Sequence, residues 1–443
     1  MVALRERVLS GDLGGMVGQR ALLAGWLQDL RDQGKIAFLF VRDRQGVTQV
    51  VLKKTELGEE RYKAAVSLPR ESVVAVQGMV AASKAKAGGC EVVVDAQGSV
   101  EVLSQAAAPL PLGVVDKVQA DLDTRLDNRF MDVRKPEVAA IFRVRSVLVK
   151  AGVDYFASQG FVQIHTPRII GASSEGGTEL YPVKYFEKDA YLAQSPQLYK
   201  QAMMATGLDR VFEVATYFRA EKHNTYRHLN EITAFDAEMA FIDDEEDVMR
   251  ILEGACHHIW QRVAEECGPE LALRGVDLKV PSLPFPRVPH ARAVEMVNAS
   301  GKLAAPIGEQ DDLSTEAERV LGELMGEQGH IFYFITKYPG SIRPFYTYVD
   351  ADGTSRSFDL EHKGLEVTSG AQRQHQVQAL EQRLKEKGLD PADFESYLKA
   401  FRYGMPPHGG FGLGIDRLTM EVLGLDNVRE AVLFPRDRTR VSP

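Results

Sequence analysis

The chain has 443 residues, with 53 Lys+Arg against 62 Asp+Glu and a formal net charge of −9. That length suits two or three domains, and a 44% hydrophobic share with 38 Gly excludes collagen, coiled coil and wholesale disorder. Its three cysteines, Cys90, Cys256 and Cys267, form no CxxC pair, which argues against a disulfide framework and for a reducing, cytoplasmic setting without structural zinc.

The opening MVALRERVLSGDLGG has no basic stretch leading into an apolar core, and no apolar run is long enough to span a bilayer. Neither a secretory signal nor a membrane partner is expected. From Arg20 to about Leu103, short β-type runs alternate with turns, with one helix near Glu59–Val66, and predict a small closed barrel. Residues 1–105 carry 14 Lys+Arg against 12 Asp+Glu, leaving 39 against 50 for the rest. The acidic total would argue against a nucleic-acid partner, but the two parts of the chain differ electrostatically. Gln105 to Gly113, QAAAPLPLG, is the best linker.

Helical periodicity then covers Pro136 to Gln159 and Asp243 to Cys267. Thr315 with Glu318 reads as a capping box, and Asp390-Pro391 as a helix start. Strand-like pieces lie between, without a βαβ rhythm. The expectation is an α+β fold with an antiparallel sheet flanked by helices. The pair His257-His258 falls inside a helix and reads as structural.

No phosphate-binding glycine loop of the GxxxxGK[ST] or GxGxxG type is present, so a nucleotide site must use side chains. FRAEKHNTYRHLNE offers Arg219, Lys222, Arg227 and His228 on two strands and the loop between them. Arg219 and Glu221 would share a strand face, suiting a phosphate and an amino group, although a solvated hairpin would look similar. In SFDLEHKGLEVTSGAQR, Asp359, Glu366 and Ser369 are hard oxygen ligands of the kind Mg2+ takes, although carboxylates seven apart are more often surface charges. HGGFGLGIDR sets four glycines ahead of a helix carrying Arg417, as a glycine-rich strand packed under a helix also would.

In this order the blocks resemble the three motifs of class II aminoacyl-tRNA synthetases, and within them aspartyl-tRNA synthetases of the compact archaeal and eukaryotic type. FVQIHTPRI resembles motif 1, with Pro167 at the family's dimer interface; FRAE with RHLNE resembles motif 2, and GLGIDR motif 3. SSEGGTELYPVKYF, AQSPQLYKQ and SGAQRQH resemble the aspartate pocket. About 115 residues separate motif 2 from SFDLEHKG, too few for the domain that the bacterial type inserts there. The resemblance implies an OB-fold anticodon domain over 1–104, a hinge over 105–130 and a catalytic domain over 131–443. It implies ATP as substrate, Mg2+ as cofactor, a homodimer, and L-aspartate and tRNA(Asp) as partners, with tRNA(Asn) favoured weakly as a second.

It also assigns roles. Glu175 would bind the substrate ammonium, Ser195 and Gln197 would line the aspartate site, and Lys200 and Arg373 would hold the side-chain carboxylate, with Asp236 orienting Lys200. Arg219 would take the α-carboxylate and α-phosphate, and Glu221 the adenine amino group. His228 and Arg417 would reach the outer phosphates. Arg227, Leu229, Gly414, Ile415 and Asp416 would complete the ATP site, and Arg219 and Arg417 would be catalytic. Asp359, Glu366 and Ser369 would support Mg2+, with Glu366 also at the ATP and Ser369 at the aspartate. Ile232 departs from relatives whose aromatic side chain stacks on adenine. In the barrel, Phe38 would stack on the middle anticodon base, with Arg31 and Gln49 on its neighbours; Phe38 in the core is the plainer alternative. The choice between tRNA(Asp) and tRNA(Asn) would rest on a few contacts, including Gln28 and the Ser83–Lys86 loop. Two cations suit a carboxylate and would be left unpaired by an amide, which separates this pattern from an asparagine enzyme. A synthetase-like paralogue without activity would be expected to lack Arg219, Arg417 or the carboxylates.

Overall fold

In a computed structural model, the structure describes residues 3–83, 89–115, 120–171, 180–222 and 224–443. The predicted positions Glu175 and Lys84–Lys86 lie outside them. The chain forms two compact units, Met1–Asp132 and Val133–Pro443.

In the first unit, β1 (Arg20–Asp32), β2 (Ile36–Arg42), β3 (Val47–Lys53), β4 (Val73–Ala82) and β5 (Cys90–Val94) pair in the cyclic order β1-β2-β3-β5-β4-β1. Only β3–β5 is parallel, and β6 (Ser99–Ser104) adds to β4. This closed five-stranded barrel removes the free sheet edges that would otherwise invite pairing. Alternation sends Ala37, Leu39, Val41, Val50 and Leu52 into the barrel core. Near its end, the stretch expected as a hinge contains the helix Leu122–Asp127, capped where Asp121 accepts from the Thr124 amide at 2.8 Å.

The second unit opens with the helix Pro136–Ser158 and β7 (Val162–Gln163). A small sheet follows, of β8 (Ile169–Ile170), β9 (Pro182–Tyr185) and β10 (Lys188–Leu192). The main sheet adds β11 (Arg210–Phe218), β12 (Glu231–Ala240), β13 (Arg287–Pro289), β14 (Phe332–Thr336), β15 (Ser357–His362), β16 (Leu365–Gln372) and β17 (His408–Gly414). Their order is β13-β14-β15-β16-β17-β12-β11-β7, antiparallel except for one parallel pair at each edge. The sheet is therefore mixed at its margins rather than antiparallel throughout.

One face of this sheet is apolar and packs on two helices. Phe235, Ala237, Phe358, Leu360, Phe411 and Leu413 meet Val144, Leu148 and Phe156 of Pro136–Ser158 and Val248, Leu252 and Ile259 of Glu245–Glu266. The second helix starts where expected, with the Asp244 carboxylate accepting from the Glu246 amide. The helix Thr315–Glu327 is capped by Ser314, whose hydroxyl accepts from the Ala317 amide, and not by Thr315. Glu318 is thereby released from a capping box. Among the described residues no helix is long and apolar enough to cross a membrane.

Candidate active site

The other face of the sheet is polar because the strand period turns it that way. On β12, Asp236 and Glu238 point opposite to Phe235 and Ala237. Their register partners on β17 are Gly412 and Gly410. A Cβ at Gly410 would fall 2.1 Å from Glu238 Oε2, and one at Gly412 would lie 3.3 Å from Asp236 Oδ1. The glycines thus make room for two carboxylates under a cavity of about 450 Å3.

Those carboxylates are met by the two predicted cations. Lys200 Nζ donates to Asp236 Oδ1 and to the Phe411 carbonyl, both at 2.9 Å, and lies 3.6 Å from Glu238 Oε2. Arg373 donates to both Glu238 oxygens, at 3.0 and 3.3 Å, and to the Gly410 carbonyl at 2.8 Å. All four side chains are buried. Burial raises the Asp236 carboxyl against the pull of Lys200, whereas for Glu238 the nearby Arg373 and Lys200 overcome burial and lower it. Arg373, Ser195, Gln197 and Asp236 line the cavity; Lys200 does not line it and acts behind Asp236. Glu238 was not anticipated from the sequence. Its signal was a second carboxylate two residues after Asp236 in an otherwise apolar strand.

Arg219 and Glu221 also line the cavity, 3.7 Å apart, but not on a strand as expected. β11 ends at Phe218, and the Asn230 side-chain amide takes over, donating to the Arg219 carbonyl at 2.6 Å and the Glu221 carbonyl at 3.1 Å. The loop is further braced by Arg429. It donates to the Thr225 carbonyl at 3.1 Å, bonds Asn224, and pairs with Asp437 at 2.5 Å. Arg227 is held by Glu318 at 2.6 Å and Thr315 at 2.5 Å, and His228 Nδ1 lies 2.6 Å from the Thr225 hydroxyl. Arg417 donates to the Glu366 carbonyl at 2.7 Å. Of the remaining predicted nucleotide residues, Leu229 and Gly414 line the cavity, whereas Ile415 is core. Asp416 also lines the cavity; it accepts from the Thr233 amide at 2.9 Å and pairs with Arg145 at 2.7 Å. His223 lies outside the described residues.

Asp359 and Ser369 are register partners, as are Glu361 and Glu366, with an irregularity between the pairs. In a regular strand Glu366 and Ser369, three apart, would face oppositely; the bulge returns both to the cavity side. Asp359 Oδ2 is 2.5 Å from Arg343, which also lines the cavity and was not foreseen, while Asp359 Oδ1 is buried without a hydrogen bond. Burial raises the Glu366 carboxyl, and the Asp359 charge raises it further. Glu366 and Ser369 line the cavity and Asp359 does not, but its unpartnered buried oxygen beside a second carboxylate that is costly to ionise fits a divalent cation. Among the described residues no three His, Cys, Asp or Glu are arranged to hold one unaided, so phosphates and water would complete its shell.

In the barrel unit, Phe38 and Phe40 are half-buried on the outer face, opposite buried Ala37 and Leu39. Phe38 is not core. Arg31 pairs in register with Phe38 and lies 5.0 Å over the Phe40 ring, and Gln49 pairs with Phe40 while donating to Glu91 at 2.8 Å. Gln28 accepts from Arg42 at 3.3 Å.

Comparison with known proteins gives the family. The family of class II tRNA synthetases (D, K and N) matches residues 121–438, and the OB-fold nucleic acid binding domain matches 21–102. The chain is 51% identical to an aspartate–tRNA(Asp) ligase of Thermococcus kodakarensis over 96% of its own length and 97% of that protein. It is equally similar, at 51% over 96% and 97%, to an aspartate–tRNA(Asp/Asn) ligase of Methanocorpusculum labreanum. Among solved structures, asparaginyl-tRNA synthetase of Pyrococcus horikoshii with asparaginyl-adenylate superposes with a TM-score of 0.91 at 34% identity, covering 99% of this chain and all of that one. Aspartyl-tRNA synthetase of Entamoeba histolytica gives 0.86 at 33%, covering 99% and 92%.

Proposed function

Because the chain belongs to the class II tRNA synthetases of the aspartate, lysine and asparagine group, we propose that it is an aspartate–tRNA ligase. The observation that carries this reading is the meeting in one cavity of Arg373, backed by Glu238 and the Lys200–Asp236 pair, with Arg219, Glu221 and Arg417. A guanidinium at the cavity wall offers a planar fork to a carboxylate. The Asn amide would present a donor to that fork, and the cost of a mispaired buried charge favours aspartate over asparagine.

The reaction follows from positions. The α-carboxylate of aspartate attacks the α-phosphorus of ATP in line, and pyrophosphate leaves. Arg219 holds the attacking carboxylate near the phosphorus and neutralises charge that grows on the phosphoryl oxygens. Arg417 takes the leaving phosphates, and Glu221 accepts from the adenine amino group. Asp359, Glu366 and Ser369 would hold Mg2+, which supplies charge neutralisation across the phosphates. The 3′-hydroxyl of the terminal tRNA adenosine then attacks the acyl carbon, its proton is lost, and AMP leaves. No protein nucleophile takes part.

Residues 1–104 are proposed to read the anticodon, with Phe38 as stacking platform and Arg31 and Gln49 beside it; 105–130 joins them to the catalytic part, 131–443. Val162 and Ile169, exposed on either side of Pro167, are proposed as part of a homodimer contact, measurable by light scattering. The cytoplasm is the proposed setting. Charging of tRNA(Asp) and tRNA(Asn) transcripts with labelled aspartate tests the reading. Aspartylation of tRNA(Asp) is expected. Acceptance of asparagine with no aspartylation would sink the proposal. Relatives of both specificities are equally similar to the chain; tRNA(Asn) is proposed as a second acceptor, and the same assay decides it.

A further inference from the structure

Behind Gln197 lies a chain of buried polar groups that the proposed reaction does not use. Gln197 Nε2 donates to Gln201 Oε1 at 3.0 Å, and the Tyr397 hydroxyl donates to the same oxygen at 3.1 Å. Gln201 Nε2 lies 3.2 Å from His408 Nε2, and His408 Nδ1 lies 2.9 Å from the Pro406 carbonyl. Gln197 is 6% exposed, Tyr397 4%, and Gln201 and His408 are fully enclosed, so water does not compete for these contacts.

One arrangement of protons satisfies every contact. The Pro406 carbonyl is an acceptor, so His408 Nδ1 carries the proton that faces it. Burial pushes the His408 ring down to about 4, which keeps it neutral at working pH and leaves Nε2 a lone pair. Gln201 therefore turns its NH2 towards His408 and its carbonyl oxygen towards Gln197. Gln197 in turn must aim its own NH2 at Gln201, which keeps its Oε1 for the cavity. Rotated by half a turn, Gln197 would set oxygen against oxygen in a buried site, losing the hydrogen bond between them and opposing two acceptors.

We infer that Gln201 and His408 are positioning residues that fix the direction of the Gln197 amide, so that the cavity presents an acceptor there to the ammonium group of the amino acid. The inference rests on the aminoacylation reading. Arg373 and Arg219 serve the two carboxylates of aspartate; a locked acceptor in the same cavity reads the one cation that the substrate carries. The sequence gives no sign of it, since Gln201 and His408 are 207 positions apart.

Aspartate-dependent pyrophosphate exchange by the unaltered enzyme tests the aminoacylation reading alone; variants at Gln201 test the positioning. Gln201→Leu keeps the volume and loses both polar groups. It should raise KM for aspartate about tenfold, the worth of one mispaired buried group, and leave KM for ATP within about twofold. Gln201→Glu retains an acceptor oxygen towards Gln197 and should stay within about threefold of the unaltered enzyme for aspartate. If Gln201→Leu gives no cooperative melt, Gln201→Asn, too short to span from His408 to Gln197, is read in its place. Equal aspartate KM in the apolar (or shortened) and glutamate variants, whether both raised or both unchanged, overturns the inference. So does a matching rise in KM for ATP.

Discussion

In the barrel, Phe38, Arg31 and Gln49 stand on the outer side of strands whose inner side is filled by Ala37, Leu39 and Val50, and Arg31 is exposed. In the second unit, Lys200, Asp236, Glu238 and Arg373 are each no more than 5% exposed, and every one is tied to another. A side chain on an outer face can be removed without disturbing what lies beneath it. A buried charge cannot, because its partner is left without solvent or counter-ion. Function and stability are therefore separable in the barrel and joined in the pocket.

The sharpest test of that difference is Arg373→Ala. It should abolish aspartate activation, lowering pyrophosphate exchange by about three orders of magnitude or more. It should also cost about 3–5 kcal/mol of stability, since Glu238 would remain buried with only the more distant Lys200. A denaturant melt run beside the exchange assay reads both, and loss of activity at unchanged stability would break the comparison from the pocket side. Next comes Arg417→Ala. Arg417 is partly exposed and makes one short hydrogen bond, to the Glu366 carbonyl. Its loss should lower kcat about 100- to 1,000-fold, the scale of one lost transition-state donor. Stability should change by only about 0.5–1.5 kcal/mol.

What the sequence exposed and what it hid follow the same division. Alternation along β2 already made Phe38 and Phe40 share a face, but not which face, since two phenylalanines are as natural inside a barrel as outside. The closure of the barrel decides it by giving the inner side to Ala37 and Leu39. Motif residues such as Arg219, Glu221, Glu366 and Arg417 could be named because they sit in long, ordered strings. Their support could not. Arg343 reaches Asp359 from a loop with no pattern of its own, and Asn230 ends a strand that alternation would have continued through Glu221. The bulge beside Glu366 is likewise invisible to a period-two reading, although without it Glu366 would face away from Ser369. Local spacing records which face a residue shares; long-range partners of buried charge leave no local mark.

On the barrel side, Phe38→Ala should weaken tRNA binding by about 1–3 kcal/mol, the worth of one base stacked on an aromatic ring. Aspartate-dependent exchange without tRNA should be unchanged, and the melting midpoint nearly so, because the ring is only half-buried. A fall in exchange activity would show that the two functions are coupled. Salt gives a gentler version: tRNA affinity should decline steadily with ionic strength through phosphate contacts, while aspartate KM should move little.

The smallest expected effect lies in the brace between the tail and the motif 2 loop, where Asp437 and Arg429 are also buried, and it tests whether buried charge away from Arg373 and Lys200 behaves like the pocket or like the barrel. Asp437 accepts from Arg429 at 2.5 Å, from the Thr439 amide at 2.8 Å and hydroxyl at 2.9 Å, and from the Arg440 amide at 2.9 Å. Burial alone would raise its carboxyl, but Arg429 and the Thr439 donors outweigh it and bring it down to about 2. A folded value below the unfolded one of about 3.9 means that this stabilisation is fully present above about pH 4. It is then lost as pH falls through about 2. Asp437→Asn should therefore lower the melting midpoint at pH 7, and the gap to the unaltered protein should close as the pH approaches 2. Because Arg429 also holds Asn224 and Thr225, the loop should loosen rather than unfold, raising KM for ATP about threefold with kcat unchanged. A gap that stayed constant with pH would mean that an amide binds Arg429 as well as the Asp437 carboxylate does, and that the charge at this position does not matter.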